Sequence, residues 1–201
     1  MAVLTEISMT TFADFVLKAG TPKATVVRQW KKRSSYHPSS DYYKALRESI
    51  VECHSSGAGV GVISAAVTGA GKARKANYDA MAKSYIKWLG RSKHVWFAHP
   101  KAMWQAHNIG VRVRPELGLE IGGARHLVKL YFKSDILNKN RADILLQLMV
   151  ESFSKHTKAK GLVSILDVRQ GKLFSSSANV TALSAQLSAE AAYWAALWPK
   201  I

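Results

Sequence analysis

The chain is 201 residues long, which suits one domain or one domain with a helical extension. Hydrophobic residues make up 48% of it, enough for a real core, and its single cysteine, Cys53, excludes an internal disulfide framework and a zinc site built on several cysteines. With 29 Lys and Arg against 13 Asp and Glu the formal charge is +16, which favours a polyanionic partner, and no apolar run approaches the ~18 residues that span a bilayer. The first residues, Met-Ala-Val-Leu-Thr-Glu, show no basic stretch followed by an apolar one. No secretory signal is therefore expected, and the reading is a cytoplasmic protein without membrane contact. The cations are unevenly spread: Lys18 to Arg33 and Lys72 to Lys93 are rich in them, whereas from Leu173 onward only Glu190 and Lys200 are charged. The last segment is thus expected to pack against something.

Thr10 or Thr11 is expected to cap a short helix through Lys18, with Phe12, Phe15 and Val16 on one face and Gly20 just past its end. Thr21-Pro22 reads as a cap followed by Pro at the first helical position of a second helix carrying Val26, Val27 and Trp30. Ser34 to Ser40 reads as a loop. Asp41 opens a third helix on which Tyr42, Leu46 and Ile50 recur at helical spacing, and Cys53, near its end, reads as a small buried apolar residue. Ser55 to Gly71 is small and flexible, either a linker or a short helix packed closely on a neighbour. Its glycines do not make a phosphate loop, because Ala66 stands five before Gly71 and Ala73 follows Lys72.

Lys72 to Leu89 is expected to be helical, with Tyr78, Met81, Ala82 and Tyr85 on its apolar stripe and Gly90 ending it. From His94 the period changes to two. Val95-Trp96-Phe97 and Ala102 to Gln105 read as strands, Val111 and Val113 alternate with Arg112 and Arg114, and Leu117, Leu119 and Ile121 alternate with Gly118 and Glu120. Gly122-Gly123 is a hairpin turn signal. Beyond it Leu127, Lys129, Tyr131 and Lys133 fall on one face, and His126, Val128, Leu130 and Phe132 on the other. The expectation is an antiparallel meander with one apolar face and one face rich in Arg and Lys. Arg141 to His156 reads as a helix, Leu162 to Val168 as a strand turned by Gly171 into Lys172-Leu173-Phe174, and Asn179 to Trp198 as a final helix. The fold class is therefore α+β: N-terminal helices, then a central antiparallel β-meander flanked by helices. The expected division is an N-terminal helical segment (1–56), a Gly/Ala-rich linker (57–71) and an α+β core domain (72–201).

A helix, several strands ending in a hairpin, a helix and one more strand, as read over Lys72 to Phe174, resembles the PD-(D/E)XK nuclease superfamily, in particular its RecB-type members. In that family an acid follows a Gly on one strand, an acid-x-Lys triplet lies on the next, and a Gln lies on the helix after. Gly118-Leu119-Glu120 falls where the first acid would be, Lys133 where the lysine would be, and Gln147 on the following helix. The resemblance implies a restriction-endonuclease-like core, with Glu120, Lys133 and Gln147 as candidate catalytic residues and Glu120 as a candidate ligand for Mg²⁺. The sequence departs from the family at Tyr131, which stands two before Lys133 in place of an acid. A hard ion such as Mg²⁺ needs carboxylate oxygens, so the departure implies a weakened or lost site unless Glu116, Asp143, Glu151 or Asp167 supplies the missing group.

Three functions follow. The first is nucleic-acid binding, DNA or RNA, with Arg112, Arg114, Lys129 and Lys133 on phosphates and Tyr131 stacked on a base or sugar. The second is a non-enzymatic interaction or assembly subunit that holds an acidic protein partner and self-associates through its Trp-rich last helix. The third is an active Mg²⁺-dependent nuclease. Other chemistry has no motif: the seven histidines form no H-x-x-x-H or H-E-x-x-H pair, and no serine sits in G-x-S-x-G.

Overall fold

The period-two stretch after His94 is the organising segment, and the helices on either side of it cover both of its faces. A computed structural model describes residues 5–33, 41–154, 161–176 and 183–201. Its elements are β1 (Thr5–Ser8), α1 (Met9–Val16), α2 (Pro22–Lys31), α3 (Lys44–Ser55), α4 (Gly61–Thr68), α5 (Lys72–Leu89), β2 (His94–Trp96), β3 (Ala102–Ala106), β4 (Ile109–Val113), β5 (Leu117–Ile121), β6 (Ala124–Tyr131), α6 (Lys139–Phe153), β7 (Leu162–Asp167), β8 (Lys172–Ser175) and α7 (Ser184–Leu197). The class is α+β. Among the described residues no helix is long and apolar enough to cross a membrane.

The strands form two mixed sheets, a smaller one in the order β1-β4-β3 and a larger one in the order β2-β5-β6-β7-β8. Every pair within the expected meander is antiparallel: β2 with β5, β3 with β4, and β5 with β6. The meander is nonetheless split, because the β3–β4 hairpin leaves for the smaller sheet. Two parallel partners complete the sheets, β1 beside β4 and β7 beside β6. Parallel neighbours need a long crossover, and α6 supplies it between β6 and β7.

That parallel partner overturns the expectation of an open basic face. Parallel strands are typically covered on both sides. Leu127 and Tyr131 of β6 enter one core with Phe12, Phe15, Val111, Leu148, Ile165 and Trp194, beneath α1, α6 and α7. Val128, Leu130 and the following Phe132 enter the other with Leu46, Ile50, Ile63, Tyr78 and Tyr85, beneath α3, α4 and α5. Side chains from the first 56 residues thus contribute to both cores, Ile7 and Phe12 to one and Leu46 and Ile50 to the other.

Local chemistry sets the element ends. Helix α1 starts earlier than the threonines suggested: Ser8 is its cap, and its Oγ accepts from Thr11 N at 3.1 Å. Asn138 caps α6 in the same way, through Arg141 N at 3.0 Å. Of the two alternatives for Ser55 to Gly71, a short helix is present over Gly61–Thr68, with Ile63 fully buried. The first residues of the expected last helix, Asn179 to Ala182, lie outside the described residues. From Ser184 that helix is docked by Leu187, Ala191 and Trp194, and an ion pair joins its Glu190 to Lys23 of α2.

Gly122 and Gly123 turn the β5–β6 hairpin with positive φ of 59° and 83°, as only glycine adopts freely. Gly118 has a different reason to be glycine. A Cβ there would lie 2.4 Å from the backbone oxygen of Phe97, whose own N–H donates to Gly118 O at 2.9 Å. Gly118→Ala is therefore expected to push the chain after β2 off β5, at a cost of about 1–3 kcal/mol. Chemical denaturation of the parent and the variant measures it.

A cluster of buried and half-buried titratable groups joins α3, α5 and β2. His54 Nε2 and the fully buried Tyr85 hydroxyl share a hydrogen bond of 2.5 Å, and the His54 and His94 rings lie 6.2 Å apart beside Cys53 and Trp88. Burial, and secondarily His94, holds the His54 imidazole down to about 4; burial also lowers His94 and raises the Cys53 thiol. The unfolded chain protonates His54 near its ordinary value of about 6.5, so it binds more protons than the fold below that pH. The contribution of neutral His54 is therefore complete above about pH 6.5 and lost as the pH falls toward 4. The thermal midpoint is expected to drop across that window, and His54→Gln should flatten the drop.

Candidate nucleic-acid interface

At one end of the larger sheet, β5 begins where β6 runs out. The hairpin register sets Leu117 opposite Val128 and Glu120 opposite Arg125. Glu116, just before β5, therefore lies beside Lys129: its N–H donates to Val128 O at 3.0 Å, one carboxylate oxygen takes the Lys129 ammonium, and the other accepts from Leu130 N at 2.7 Å. Past the end of β6, Lys133 reaches Asp14 on α1, and the same carboxylate takes the guanidinium of Arg141 on α6. Asp135 lies 3.8 Å from Arg141.

Two hollows open on this end. The smaller, of about 270 Å³, is lined by Arg47, Arg112, Arg114, Lys129 and Lys133, with Asp41, Glu116 and Tyr43. The larger, of about 440 Å³, is lined by Lys18, Arg33, Lys133 and Arg141, with Asp14, Asp135 and Trp30. Ser8, Thr10 and Lys133 line both, so the two hollows adjoin and together make up a cleft. Eight cationic side chains face four carboxylates within it.

The carboxylates are engaged: Glu116 by Lys129, Asp14 by Lys133 and Arg141, and Asp41 by Arg47 at 2.8 Å. The surplus is positive. Arg112 meets Glu6 only at 3.7 Å, with both side chains well exposed, and exposed pairs of this kind hold weakly. Arg114 is exposed and forms no ion pair among the described residues. Lys18 and Arg33 are exposed on the outer rim.

Four of the residues singled out in the sequence, Arg112, Arg114, Lys129 and Lys133, thus meet in one hollow. Tyr131 touches the floor of that hollow but does not offer a ring for stacking. It is 2% exposed, its hydroxyl donates to Asp135 O at 2.9 Å, and burial above all pushes its phenol up to about 12. The reason is the second buried face of β6. Glu120, Lys133 and Gln147 are not brought together. Glu120 sits four positions along β5 from Glu116, about 13 Å at strand rise, beside Arg125 and Val95. Gln147 is 1% exposed inside α6 and donates to Glu151, which also takes the Trp104 indole N–H.

Of the acids that stood as replacements, Glu116 alone lines the cleft. Asp143 pairs with Lys139, Glu151 belongs to the buried network, and Asp167 is buried, where it accepts from Arg169 N and Gln170 N and caps the turn into β8. Among the described residues no three His, Cys, Asp or Glu side chains converge as a metal would need. Sequence reasoning missed Asp14, Trp30, Tyr43 and Arg47 as cleft residues, because each arrives from an element far along the chain, and it missed Arg141 on the helix that follows β6. The run Lys18 to Arg33 was the one signal that could have drawn α1 and α2 toward a basic site.

No family model matches this chain, and neither a curated protein nor a solved structure is significantly similar to it.

Asp14 is the pivot of the cleft's charge. Asp14→Asn leaves Lys133 and the recessed Arg141 without their common counter-charge. The expected result is a loss of roughly 1–3 kcal/mol in stability, between the exposed and buried limits for ion pairs, together with tighter binding of polyanions such as heparin. Denaturant titration and a heparin-column elution profile read the two effects separately.

Proposed function

We propose that this chain binds nucleic acid through the Lys133 cleft, on a nuclease-like core whose active site is weakened or lost. The observation that carries the reading is the surplus of cations in one concave site, with Arg114 unpaired at its lip. Phosphates draw affinity from such cations by releasing condensed counterions, whatever the base sequence.

The nuclease-like reading has support from topology. Within the larger sheet the chain runs α5, β2, β5, β6, α6, β7, which is the helix, three strands, helix, strand order of the PD-(D/E)XK superfamily, and the β3–β4 hairpin is an excursion from it. Strand β5 is antiparallel to both neighbours and β6 is parallel to β7. Catalysis has much less support. Tyr131 occupies the place of an acid, and Glu116 gives one oxygen to Lys129 and the other to a backbone N–H. Carboxylates already neutralised by cations are poor ligands for Mg²⁺. Glu116 and Asp14 line different hollows and are each held by cations, so the residues present do not fit a Mg²⁺ site.

A filter-binding salt titration on duplex and single-stranded probes tests the reading. Binding should weaken steeply with salt, and Lys129→Ala and Lys133→Ala should each flatten the slope by up to roughly one unit while weakening all sequences alike. Glu120→Ala should leave binding unchanged, because Glu120 lies outside the cleft. Incubation with Mg²⁺ should give no cleavage. Cleavage abolished by both Lys133→Ala and Glu116→Ala would make the chain an active nuclease. Absence of binding at low salt would assign the charge to an acidic protein partner.

A further inference from the structure

We infer that the Lys133 cleft takes a single strand of nucleic acid, with phosphates on Arg112, Arg114 and Lys133 and bases on Tyr43 and Trp30. This deepens the reading above and rests on it.

Of the cations in the cleft, Lys129 and Arg141 are recessed, and Lys133 is as open as Arg112. Side-chain exposure is 36% for Lys133, 19% for Lys129 and 14% for Arg141. A duplex carries its phosphates on the outside of a wide, stiff rod, and that rod meets protruding side chains. A lone backbone is thin and flexible enough to enter a cleft of 270 and 440 Å³ hollows and reach cations at its floor.

Each hollow has one partly open aromatic ring, and each ring is held in place before any ligand arrives. Tyr43 stacks on Phe132 with centroids 5.3 Å apart and planes 18° apart, and its hydroxyl accepts from Asn77 Nδ2 at 3.3 Å. Trp30 donates its indole N–H to Glu6 O at 3.1 Å, and the exposed Arg33 guanidinium lies 4.8 Å from its ring centroid. Arg33 can swing aside or sandwich a base against the indole, since its planar group stacks on either. Bases in a duplex are stacked on one another and cannot reach these rings, whereas splayed bases can. Fixed rings lose little side-chain entropy on binding.

Lys133, Ser8 and Thr10 belong to both hollows, so a phosphate station lies between two base stations. Aromatic faces accept any base, so sequence preference should be slight.

The test is fluorescence anisotropy at low salt with a labelled mixed-sequence DNA strand of about 12 nucleotides, free and annealed to its complement. The free strand should bind about ten-fold or more tighter than the duplex. Tyr43→Leu, which keeps an apolar contact with Phe132, should weaken the free strand roughly five-fold or more and leave the salt slope unchanged. Arg114→Gln should flatten that slope by about 0.7 units. If Tyr43→Leu does not fold by circular dichroism, Arg33→Gln, at an exposed position, takes its place with a loss expected at the Trp30 station. Equal or tighter binding of the duplex, or aromatic-station variants that bind the free strand as the parent does, overturns the single-strand inference and leaves the nucleic-acid reading intact. Failure of both probes to bind overturns the reading itself.

Discussion

Strand β6 has no solvent-facing side for most of its length, and the architecture follows from that. Its two edges pair with β5 and β7, and its alternate side chains fill two separate cores. A strand in that position must be apolar in both phases, which is why Leu127, Val128, Leu130 and Tyr131 follow one another so closely. Lys129 is tolerated within this run because Glu116 meets it directly. Lys133 is tolerated because the strand has ended and α1 brings Asp14 to it. The cleft is therefore the place where a buried strand emerges into water, and its cations are those the sheet could not absorb.

Charge in the cleft is arranged as well as abundant. Asp14 gives one oxygen each to Lys133 and Arg141, holding two cations close together that would otherwise repel. The carboxylates fix the positions of the recessed cations, while the unpaired charge sits at the lip and rim on Arg114, Lys18 and Arg33. A polyanion bound as proposed would meet the loose charges first and the ordered ones last. That order favours fast, salt-sensitive encounter followed by more selective seating.

Much of this was legible in the sequence. Hairpin β5–β6 announced itself through alternation and Gly122-Gly123, α5 through its stripe of Tyr78, Met81 and Tyr85, and α7 through the near absence of charge. Half of the basic cleft residues were legible too, since Arg112 and Arg114 alternate with valines and Lys129 and Lys133 recur at period two. What alternation could not give was how many sides of β6 are covered, because that depends on β7, which begins some thirty residues later. Tyr131 was misplaced for this reason. Glu120 drew attention through its preceding Gly118, but that glycine answers to the close approach of Phe97 rather than to chemistry at the acid. Strand β1 is four residues long, too short for a period to show, and Ser8, which ends it and caps α1, is followed after Met9 by two threonines that imitate a cap.

The pairing of β1 with β4 sets Thr5 beside Ile109. More than a hundred residues of chain separate these partners, so the smaller sheet is a contact of very long range in a protein otherwise rich in helices. Long-range strand pairing is slow to form, and a ribosome adding about 5–20 residues per second delivers β4 several seconds after β1. During that interval Ile7 and the apolar face of α1 have no sheet to cover them. Asp14, on helix α1, waits longer still, first for Lys133 and then for Arg141. The wall of the cleft formed by α1 is thus synthesised well before the strands that seat it, and its apolar face stays open to premature contacts while the chain is still being made.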